Sequence, residues 1–386
     1  MRLTSIVPHG DIPDRRGFAP SIVAQELVRR MRLFTPSFVA LNENEGASHE
    51  WWDSMEVRRY RVSSLYRRLF TKITRLDPYP LVDRLVPLTL RLEPDIIHVH
   101  QLEFPVDKFR KKLRRRIPMV IHVHSMRSFD PCRGVASAYV AVCEYTRRIM
   151  CEQRGFPESL VHVIHNGVDE HLFRPPVGEE RAELRSLLGI PRDGLVLGYV
   201  GRRQEAKGYH DYLRMMERLV ARHDHVFGIV VGPEPGDACR DTTHEASRGL
   251  LNKMTAEGRM IDLPAMTHER LCHLYRAMDM VVSISRGEQF PVMLVEAMSS
   301  GCVVVTTPVG GIPELVQDGD NGLLLSLPID DEELDHRVAE LISDPKAMKR
   351  LSDNARDTVV NGFSWSQLSH RFETLLMHLV LGEQVA

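Results

Sequence analysis

Short apolar strands alternate with helices along most of this chain, and this alternation restricts its fold more than any other feature. In the second half the pattern predicts strands at 195–200, 227–231 and 281–284, with helices at 210–221 and 269–277 between them. Repeats of a strand and a helix build a parallel sheet that helices cover on both faces. The first half shows the same alternation, so both halves are predicted to be Rossmann-like α/β domains.

Length and charge also divide the chain in two. Its 386 residues exceed a usual single core. Residues 1–175 contain 28 Lys and Arg against 20 Asp and Glu, a balance of +8, and the remaining residues contain 22 against 32, a balance of −10. The proline pair Pro175-Pro176 falls at this division and is typical of a linker. The two halves are therefore expected to meet different partners.

The overall composition is that of a soluble globular protein, with 43% hydrophobic and 26% charged residues. No apolar run reaches the roughly 18–20 residues that cross a bilayer, and the apolar N-terminal segment is too short for a signal peptide. The six cysteines form no C-x-x-C motif and are expected to be reduced thiols. These features predict a cytoplasmic protein.

Two glutamates, Glu288 and Glu296, lie in the most informative segment, residues 285–301. Pro291 fits the first position of a helix and Gly301 fits just past its end, so Glu288 precedes this helix and Glu296 lies within it. The helix is apolar nearly all round, which predicts burial, and a buried carboxylate needs a partner. That partner is either a neighbouring backbone group or arginine, or a ligand rich in hydroxyls.

Two cations, Arg202 and Lys207, lie in a loop that is bounded by Gly201 and Gly208. The loop follows a predicted strand and precedes a predicted helix. Arginine and lysine in such a place can neutralise the charge of a leaving diphosphate. The alternative is a surface turn with ordinary basic residues.

A glycine pair, Gly310-Gly311, follows another predicted strand, and Pro313 falls near the first position of a helix. Free backbone N–H groups at a helix N-terminus make an anion site, so this pair is a candidate phosphate loop. Asp318 and Asp320 follow as an Asp-x-Asp pair of the kind that can bind a metal. Their Gly- and Asn-rich surroundings favour a turn instead.

Two short strands of the first half, at 95–100 and 119–124, each carry a histidine pair. In each pair the two side chains share one face of the strand. If the strands are neighbours in a parallel sheet, His100 and His124 stand at the rim where ligands usually bind. An H-x-H pair can also belong to a metal site. We find no convincing set of further ligands at recognisable spacing, so no metal is predicted.

Basic residues are concentrated in two segments of the first half. Residues 108–116 contain seven cations in nine and are predicted to form a helix with a strongly positive surface. Residues 42–80 are predicted to be an irregular, solvated loop or helix with Trp51 and Trp52 as aromatic anchors. These segments fit an anionic membrane surface or an acidic acceptor. They carry no recognition motif for nucleic acid, so nucleic acid is not an expected partner.

Several of these segments together resemble the retaining glycosyltransferases of family 4. Residues 285–301 resemble that family's glutamate–seven residues–glutamate motif, including its phenylalanine, its Leu-Val-Glu-Ala-Met run and its closing glycine. Residues 201–208 are similar to its Gly-Arg…Lys-Gly motif, and residues 306–315 to one of its phosphate loops. His-Asn-Gly-Val-Asp at 165–169 resembles its hinge-side segment, and residues 363–366 resemble its terminal segment.

The resemblance implies the GT-B fold, an α/β architecture in which two Rossmann-like domains face a central cleft. The first domain is expected at residues 1–175 and is completed by residues 366–386, whose helix crosses back to it. The second domain is expected at residues 176–365. By the resemblance, the second domain binds the nucleotide sugar and the first carries the acceptor side.

The same resemblance assigns roles to individual residues. Arg202 and Lys207 are expected to hold the diphosphate of the donor, Glu288 to face its sugar and Glu296 to hold the ribose. The expected catalytic residues are Glu288, His124, Arg202 and Lys207. The donor site is expected to be completed by Phe290, Pro291, Gly310 and Gly311, and the acceptor side by Gly17, His100 and His124.

The activity implied by the resemblance is retaining transfer of a sugar from a nucleotide-diphosphate sugar to a saccharide or lipid-linked acceptor. The product is expected to be a cell-surface glycan such as lipopolysaccharide or exopolysaccharide. No cofactor and no metal are expected, and the protein is expected in the cytoplasm at the inner face of an anionic membrane. Two alternatives stay open, a sugar-nucleotide epimerase on the same fold and a non-enzymatic basic binding module.

Overall fold

The computed structural model divides the chain into two compact units. Unit 1 comprises Met1–His165 and Trp365–Ala386, and unit 2 comprises Asn166–Ser364. The described residues are 1–8, 10–14, 18–41, 47–60, 69–70, 72–74, 81–101, 105–113, 116–125, 133–234 and 242–382.

Unit 1 is built on an eight-stranded sheet. Its strands are β1 (Arg2–Val7), β2 (Thr35–Leu41), β3 (His49–Trp52), β4 (Met55–Tyr60), β5 (Ile96–Gln101), β6 (Met119–Val123), β7 (Ala138–Ala141) and β8 (Val161–Val163). Their order in the sheet is β3-β4-β2-β1-β5-β6-β7-β8. All of these neighbours are parallel except β3 and β4, which pair antiparallel.

Helices cover both faces of the unit 1 sheet, as apolar parallel strands require. They are α1 (Ala19–Arg29), α2 (Leu81–Arg91), α3 (Val106–Leu113), α4 (Glu144–Arg148) and, from the end of the chain, α12 (Trp365–Leu381). One core includes Val86 of α2 and Phe109 of α3. The other includes Leu27 of α1 and Phe372 of α12. The C-terminal helix is therefore part of unit 1, as the GT-B fold implies.

Residues 49–60 form a β-hairpin, so the prediction of an irregular loop or helix across 42–80 is wrong there. The two turn residues, Asp53 and Ser54, have φ values of 48° and 65°. A two-residue hairpin turn of this kind needs positive φ at both central positions and is usually signalled by glycine. The Asp-Ser turn lacks that signal, and this is why the hairpin is not evident from the sequence.

Unit 2 is built on a six-stranded parallel sheet in which strands and helices alternate, which confirms the prediction. Its strands are β9 (Leu195–Val200), β10 (Val226–Val231), β11 (Met260–Leu263), β12 (Met280–Ser283), β13 (Val303–Thr306) and β14 (Leu323–Leu324). Its helices are α5 (Glu180–Leu187), α6 (Tyr209–Arg222), α7 (Thr242–Ala256), α8 (His268–Ala277), α9 (Val292–Ser299), α10 (Asp331–Ser343) and α11 (Pro345–Gly362).

The strand order of unit 2 creates a topological switch. The order is β11-β10-β9-β12-β13-β14, so the chain first builds outward from β9 on one side and then returns to its other side with β12. In open α/β sheets, ligands bind outside the carboxyl ends of the strands at such a point. The loops after β9 and β12, at 201–208 and 284–291, are two of the segments that the sequence marks as functional.

The division between the units falls after residue 165, before the proline pair at which the sequence places the domain boundary. Segment 166–174 belongs to unit 2 because it is bonded to that unit. The Phe173 carbonyl accepts hydrogen bonds from Ser299 Oγ at 2.5 Å and from the Arg356 guanidinium at 3.0 Å. The prolines that follow do not mark the division itself.

None of the described helices combines the length and the apolarity that a span of the bilayer requires.

Candidate active site

Lys207 and Glu288 meet across the topological switch of unit 2. Lys207 Nζ donates to Glu288 Oε1 at 2.5 Å, and Ser285 Oγ donates to the same oxygen at 3.0 Å. The lysine side chain is 21% exposed and the glutamate side chain 15%. The pair is therefore held in a defined position and is still accessible to a ligand from solvent.

Two glycines allow the loops at this site to approach one another closely. Gly208 has a φ of 71°, and a Cβ added there would lie 2.3 Å from the Ile284 carbonyl oxygen. Gly310 has a φ of 59°, and a Cβ added there would lie 1.9 Å from the Glu288 carbonyl oxygen. Both φ values lie in the left-handed region that favours glycine. The loops after β9, β12 and β13 thus converge around Glu288.

The glycine pair differs from the free anion site that the sequence predicts. The Gly311 N–H donates to the Gln289 carbonyl at 2.7 Å, so it is not free. The helix that follows is a single 3-10 turn, Ile312–Glu314, which is too short to supply an appreciable macrodipole. In this structure Gly310 and Gly311 brace the loop that carries Glu288.

Glu296 lies inside α9 and is 3% exposed. Tyr275 OH donates to its Oε2 at 3.2 Å, and His268 Nε2 lies 3.2 Å from its Oε1. Burial raises the pKa of the Glu296 carboxyl and outweighs the opposing effects of His268 and Tyr275. The partners that the sequence leaves open are therefore a tyrosine and a histidine of α8, not a backbone group or an arginine.

The two arginines after β9 have different surroundings. Arg202 is exposed, whereas Arg203 is 3% exposed. The Arg203 guanidinium donates to Asp262 Oδ1 at 2.5 Å, to the Leu263 carbonyl at 3.1 Å and also to Glu234. It thus links the loops after β9 and β10 to β11, and it leaves Arg202 as the arginine of this loop that faces solvent.

Arg286 fixes the loop after β12 to its neighbours. Its guanidinium donates to Asp211 Oδ2 at 2.8 Å and to the Glu205 carbonyl at 2.7 Å. Asp211 belongs to α6 and is 2% exposed. The segment that carries Glu288 is thereby attached to both the loop and the helix that follow β9.

Phe290 and Pro291 set the direction of α9. Phe290 is 3% exposed, and its ring stacks on Phe363 with the centroids 5.4 Å apart. Its carbonyl accepts a hydrogen bond from Asn166 Nδ2 at 2.7 Å. Pro291 is the N-cap of α9, with a φ of −76°. The burial of Phe290 gives it a packing role that helps to position Glu296.

Asp318 and Asp320 form a turn, as their surroundings predict. Asp318 Oδ1 accepts hydrogen bonds from the Leu324 N–H at 2.8 Å and from the Arg337 guanidinium at 2.7 Å. Asp320 Oδ1 accepts one from Asn354 Nδ2 at 3.0 Å. Both carboxylates therefore take part in the hydrogen bonds of this turn.

In unit 1 the structure brings together the four histidines of the two predicted strands. His98, His100 and His122 are 0% exposed, and His124 is partly exposed just after β6. His100 Nδ1 and His124 Nε2 lie 2.8 Å apart. Burial lowers the pKa of all four imidazoles, that of His124 to about 3. The expectation that His100 stands at the rim is wrong, because the core of unit 1 covers it, whereas His124 remains accessible.

The basic helix of unit 1 is α3, which is described over Val106–Leu113. It presents an exposed positive surface. The cations of this region that the structure shows as exposed are Lys108, Lys111, Lys112 and Arg116. Lys112 is paired with Asp83. Arg59, from the hairpin, is buried against Asp11 and Glu50 and adds nothing to this surface. Gly17, Arg114 and Arg115 lie outside the described residues.

The residues that sequence reasoning missed act on the residues that it found. Arg203, His268, Tyr275 and Arg286 each hold an expected site residue or the loop that carries it. The adjacent arginines of Gly-Arg-Arg are a usable signal, because neighbouring side chains of an extended segment face opposite sides. We find no such local signal for His268 and Tyr275, which come from another helix.

The two glutamates of the site have surroundings suited to different tasks. Glu288 is paired with a lysine and can exchange that partner for a ligand. Glu296 is buried, with a raised pKa, and offers its oxygens only to a group that reaches it. Carboxylates whose environments differ in this way commonly take separate roles. A Rossmann-like unit with such a set at its switch point is suited to binding a nucleotide-linked substrate.

The comparisons with known proteins identify the class. Residues 180–358 match the family described as Glycosyl transferases group 1, and residues 22–172 match the one described as Glycosyltransferase Family 4. The two matches cover most of both units, and the fold is GT-B. The chain belongs to the family 4 glycosyltransferases.

The similarity to individual relatives extends over nearly the whole chain. The chain is 26% identical over 379 residues to the lipopolysaccharide 1,2-N-acetylglucosaminetransferase of Salmonella typhimurium, with 96% of each chain covered. It is similar in structure to Anabaena HepE in complex with UDP and glucose, with a TM-score of 0.77, 21% identity, and 98% of this chain and 99% of that one covered. It is also similar to the sucrose-phosphate synthase of Thermosynechococcus elongatus, with a TM-score of 0.80, 19% identity, and 99% and 100% covered.

Proposed function

We propose that this chain is a retaining, metal-independent glycosyltransferase that moves a sugar from a nucleotide-diphosphate sugar to a saccharide or lipid-linked acceptor. The product is a cell-surface glycan of the lipopolysaccharide or exopolysaccharide type. Similarity over nearly the whole chain to a lipopolysaccharide N-acetylglucosaminetransferase supports such a product. The UDP and glucose bound to the structurally similar HepE support a nucleotide-sugar donor.

The contact between Lys207 and Glu288 is the observation that carries the proposal. It joins a cation after β9 to a carboxylate after β12 at 2.5 Å, where the strand order of unit 2 predicts a ligand. A nucleotide-diphosphate sugar presents a negative diphosphate next to a ring of hydroxyls. Lys207 suits the first and Glu288 suits the second, so one donor molecule satisfies both partners.

Lys207 and Arg202 act on the leaving group in this proposal. The C1–O bond breaks toward an oxocarbenium-like state while negative charge grows on the departing diphosphate. Positioned cations stabilise such charge, and removal of a single donor typically costs about 3 kcal/mol in the transition state. The acceptor hydroxyl attacks C1 from the face that the diphosphate leaves and passes its proton to that diphosphate. The chain therefore needs no general base of its own.

Glu288 and Glu296 act on the two hydroxyl-bearing parts of the donor. Glu288 faces the sugar after Lys207 turns to the diphosphate. Glu296 accepts hydrogen bonds from the ribose hydroxyls, and bonds to a charged acceptor are the stronger kind. The Tyr275 and His268 contacts hold the Glu296 carboxylate in one orientation before the nucleotide arrives.

Retention and donor choice are tested together. We would screen nucleotide sugars by thermal shift, because a ligand at 100 times its Kd stabilises the folded state by about 2.7 kcal/mol. The best donor is then incubated with candidate saccharide acceptors, and NMR of the product gives the anomeric configuration. The expected product keeps the configuration of the donor. An inverted product would contradict the retaining mechanism.

The same assay separates the enzyme classes. A transferase releases nucleoside diphosphate at a rate that rises with acceptor, and it needs no added Mg²⁺ or Mn²⁺. A sugar-nucleotide epimerase would change the sugar without any acceptor, and a basic binding module would turn over no donor. A strict requirement for Mg²⁺ or Mn²⁺ would contradict metal independence and return attention to Asp318 and Asp320.

We also propose that the chain works at the inner face of an anionic membrane, where a lipid-linked acceptor is held. The exposed cations of α3 and Arg116 support this placement. Each lysine or arginine near such a surface contributes about 1 kcal/mol of attraction. Trp51 of β3 is 67% exposed, and its amphipathic ring suits the interface between membrane and water.

A further inference from the structure

Three buried histidines of unit 1 offer nitrogen atoms to a common point. His98 and His100 lie on one face of β5, and His122 lies on the adjacent strand β6, directly opposite His100 in the register. Their ligand atoms all lie within 4.8 Å of one another. A histidine pair on one strand and a third histidine on its neighbour therefore form one cluster. The sequence gives no spacing that would join the two strands in this way.

The shortest distance in the cluster fits a metal ion. His98 Nε2 and His122 Nδ1 are 3.3 Å apart. Two nitrogen ligands at 2.0–2.1 Å from a tetrahedral zinc ion would be about 3.3 Å apart. Three histidines are moreover a ligand set that zinc uses, with a fourth position left for water. The ligand atom of His100 lies within 4.8 Å of those of the other two histidines, so His100 is near enough to be the third ligand.

Neighbouring groups orient two of the three imidazoles. His98 Nδ1 lies 3.5 Å from Ser5 Oγ, and His100 Nδ1 lies 2.8 Å from His124 Nε2. When each Nδ1 carries the hydrogen, each Nε2 presents a lone pair to the cluster. Metal-bound histidines are regularly held this way, by a bond from the ring nitrogen that does not face the metal.

The hydrogen bonds among the histidines leave buried nitrogens without partners. Within the described part of the chain, His100 Nε2 and His122 Nε2 have no hydrogen-bond partner, although both residues are 0% exposed. Buried polar atoms of this kind are uncommon in folded proteins and call for an explanation. A metal ion bound by His100 Nε2 supplies one for that atom.

We propose that His98, His100 and His122 bind one transition-metal ion, with Zn²⁺ or Co²⁺ as the fitting class, in the core of unit 1. The set contains only imidazole nitrogen, which suits zinc, cobalt, nickel and copper and not Mg²⁺ or Ca²⁺. The site contains none of the residues of the Lys207–Glu288 site. Its function is structural, since it would join β5 to β6, and it does not depend on the proposed transfer reaction.

The experiment uses the full, untagged chain and Co²⁺ as the probe. Metal is first removed from the protein by dialysis against a chelator, and Co²⁺ is then added. The bound cobalt is quantified by inductively coupled plasma mass spectrometry. We expect one equivalent per chain, the intense visible bands of cobalt in a site of low coordination number, and a higher Tm than for the metal-free chain. Mg²⁺ at the same concentration should leave the Tm unchanged.

Variants assign the ion to this cluster. His98→Gln and His122→Gln should each abolish stoichiometric binding and the Tm increase. His225→Gln is the matched control, because His223 and His225 form another i,i+2 pair, in unit 2, with ring centroids 5.9 Å apart. It should bind cobalt as the wild type does. If a cluster variant fails to fold, the cobalt stoichiometry, the visible spectrum and the Tm of the wild-type chain test the proposal.

Three outcomes overturn the proposal. The first is wild-type protein that binds less than a stoichiometric amount of Co²⁺ and Zn²⁺. The second is bound cobalt with the weak spectrum of the hexaaqua ion. The third is unchanged binding in folded His98→Gln and His122→Gln. In each case the histidines are a hydrogen-bonded stack, and their neutrality alone explains their burial.

Discussion

The two sheets of this protein treat polar side chains in opposite ways. Unit 2 places charged groups in the loops after its strands, where Lys207 meets Glu288. Unit 1 places three histidines on the strands of its sheet and a fourth, His124, just after β6, and burial lowers the pKa of each. The Lys207–Glu288 pair keeps both a partner and access to water, whereas the histidines inside the core are kept neutral.

The difference shows that position in the sheet decides what a polar residue can do. A diphosphate needs permanent cations that a ligand can reach from solvent, as it can reach Lys207 and Arg202. A neutral imidazole cannot neutralise phosphate, but it can accept a hydrogen bond or bind a metal. The proposed anionic donor therefore suits unit 2, and the proposed hydroxyl-rich acceptor would meet His124, just after β6 of unit 1.

The comparison would fail most clearly if the cations of unit 2 were dispensable. Lys207→Ala and Arg202→Ala should each lower kcat roughly 100-fold or more, because both act on charge that develops in the transition state. Steady-state rates at saturating donor measure the loss. Lys253→Ala is the control, since Lys253 is exposed on α7 and lies 3.4 Å from Glu217. Near-normal turnover in both site variants would remove the diphosphate assignment.

The two glutamates sharpen the comparison within unit 2. Glu288→Gln should abolish most turnover with little change in affinity for the free nucleoside diphosphate. Glu296→Gln should weaken that affinity roughly 10-fold or more, because hydrogen bonds to a charged group contribute about 1.5–3 kcal/mol. Isothermal titration calorimetry with the nucleoside diphosphate separates the two. Equal losses of affinity would show that the carboxylates do not divide sugar from ribose.

The closeness of the loops in unit 2 can be tested at Gly310. Gly310→Ala should destabilise the chain by about 1–3 kcal/mol beyond the strain of its positive φ, because the new Cβ would overlap the Glu288 carbonyl. Gly319→Ala is the matched control, with a φ of 73° and nothing within 4 Å of an added Cβ. Denaturant unfolding compares the two. If Gly310→Ala lowers the free energy of unfolding no more than Gly319→Ala does, the loops have room to separate.

Acid should affect unit 2 through Glu296. Burial raises the pKa of this carboxyl above its ordinary value of 4.5, so it takes up a proton at a higher pH than an exposed glutamate does. A protonated carboxyl is a weaker acceptor for ribose hydroxyls, and nucleotide affinity should therefore fall as the pH drops toward and through that raised pKa. Calorimetry across a pH series measures the decline. The Glu296→Gln variant should lack this pH-dependent fall in affinity. If the variant has the same pH profile as the wild type, a group other than Glu296 causes the fall.

The smallest expected effect concerns the outer surface of unit 1. If α3 docks on a membrane, the chain should float with anionic vesicles at low salt and separate from them as salt shortens the Debye length to about 10 Å at 0.1 M. The variant that removes three exposed cations of this surface combines Lys108→Gln, Lys111→Gln and Arg116→Gln. It should float less than the wild type does.

A matched variant controls for net charge. It removes three exposed cations of α11 in unit 2, Lys346, Lys349 and Arg350, by the same change to Gln. Flotation should survive in this control. Equal loss in both triple variants would mean that total charge, not α3, draws the chain to vesicles, and a wild type that never floats would end the membrane proposal.

Sequence reasoning recovered those parts of the fold that local pattern determines. The three strands and two helices of unit 2 for which the sequence predicts bounds lie within a residue or two of those bounds, because apolar runs are local signals. The hairpin at 49–60 was missed because its turn reaches positive φ without glycine. The burial of His100 was missed for another reason: strand spacing predicts the face of a side chain, but not the helix that covers that face.

The candidate site was predictable where charge appears in a motif. Arg202, Lys207, Glu288 and Glu296 stand out by residue type and spacing, and the structure brings Lys207 and Glu288 into contact. The partners of Glu296 were not predictable, since they come from α8. Nor was the internal bond of Gly311, because a glycine pair looks the same in sequence whether its N–H groups are free or already used.

The place of α12 has a consequence for the order in which the protein is made. Trp365, Leu368 and Phe372 complete the core of unit 1, yet they follow all of unit 2 along the chain. Domains usually fold as units during synthesis, with the N-terminal one first. Here the ribosome must finish the whole of unit 2 before unit 1 has its last helix. The first unit to begin is therefore the last to be completed, and until then α1 covers only part of the side of the sheet that α12 will join.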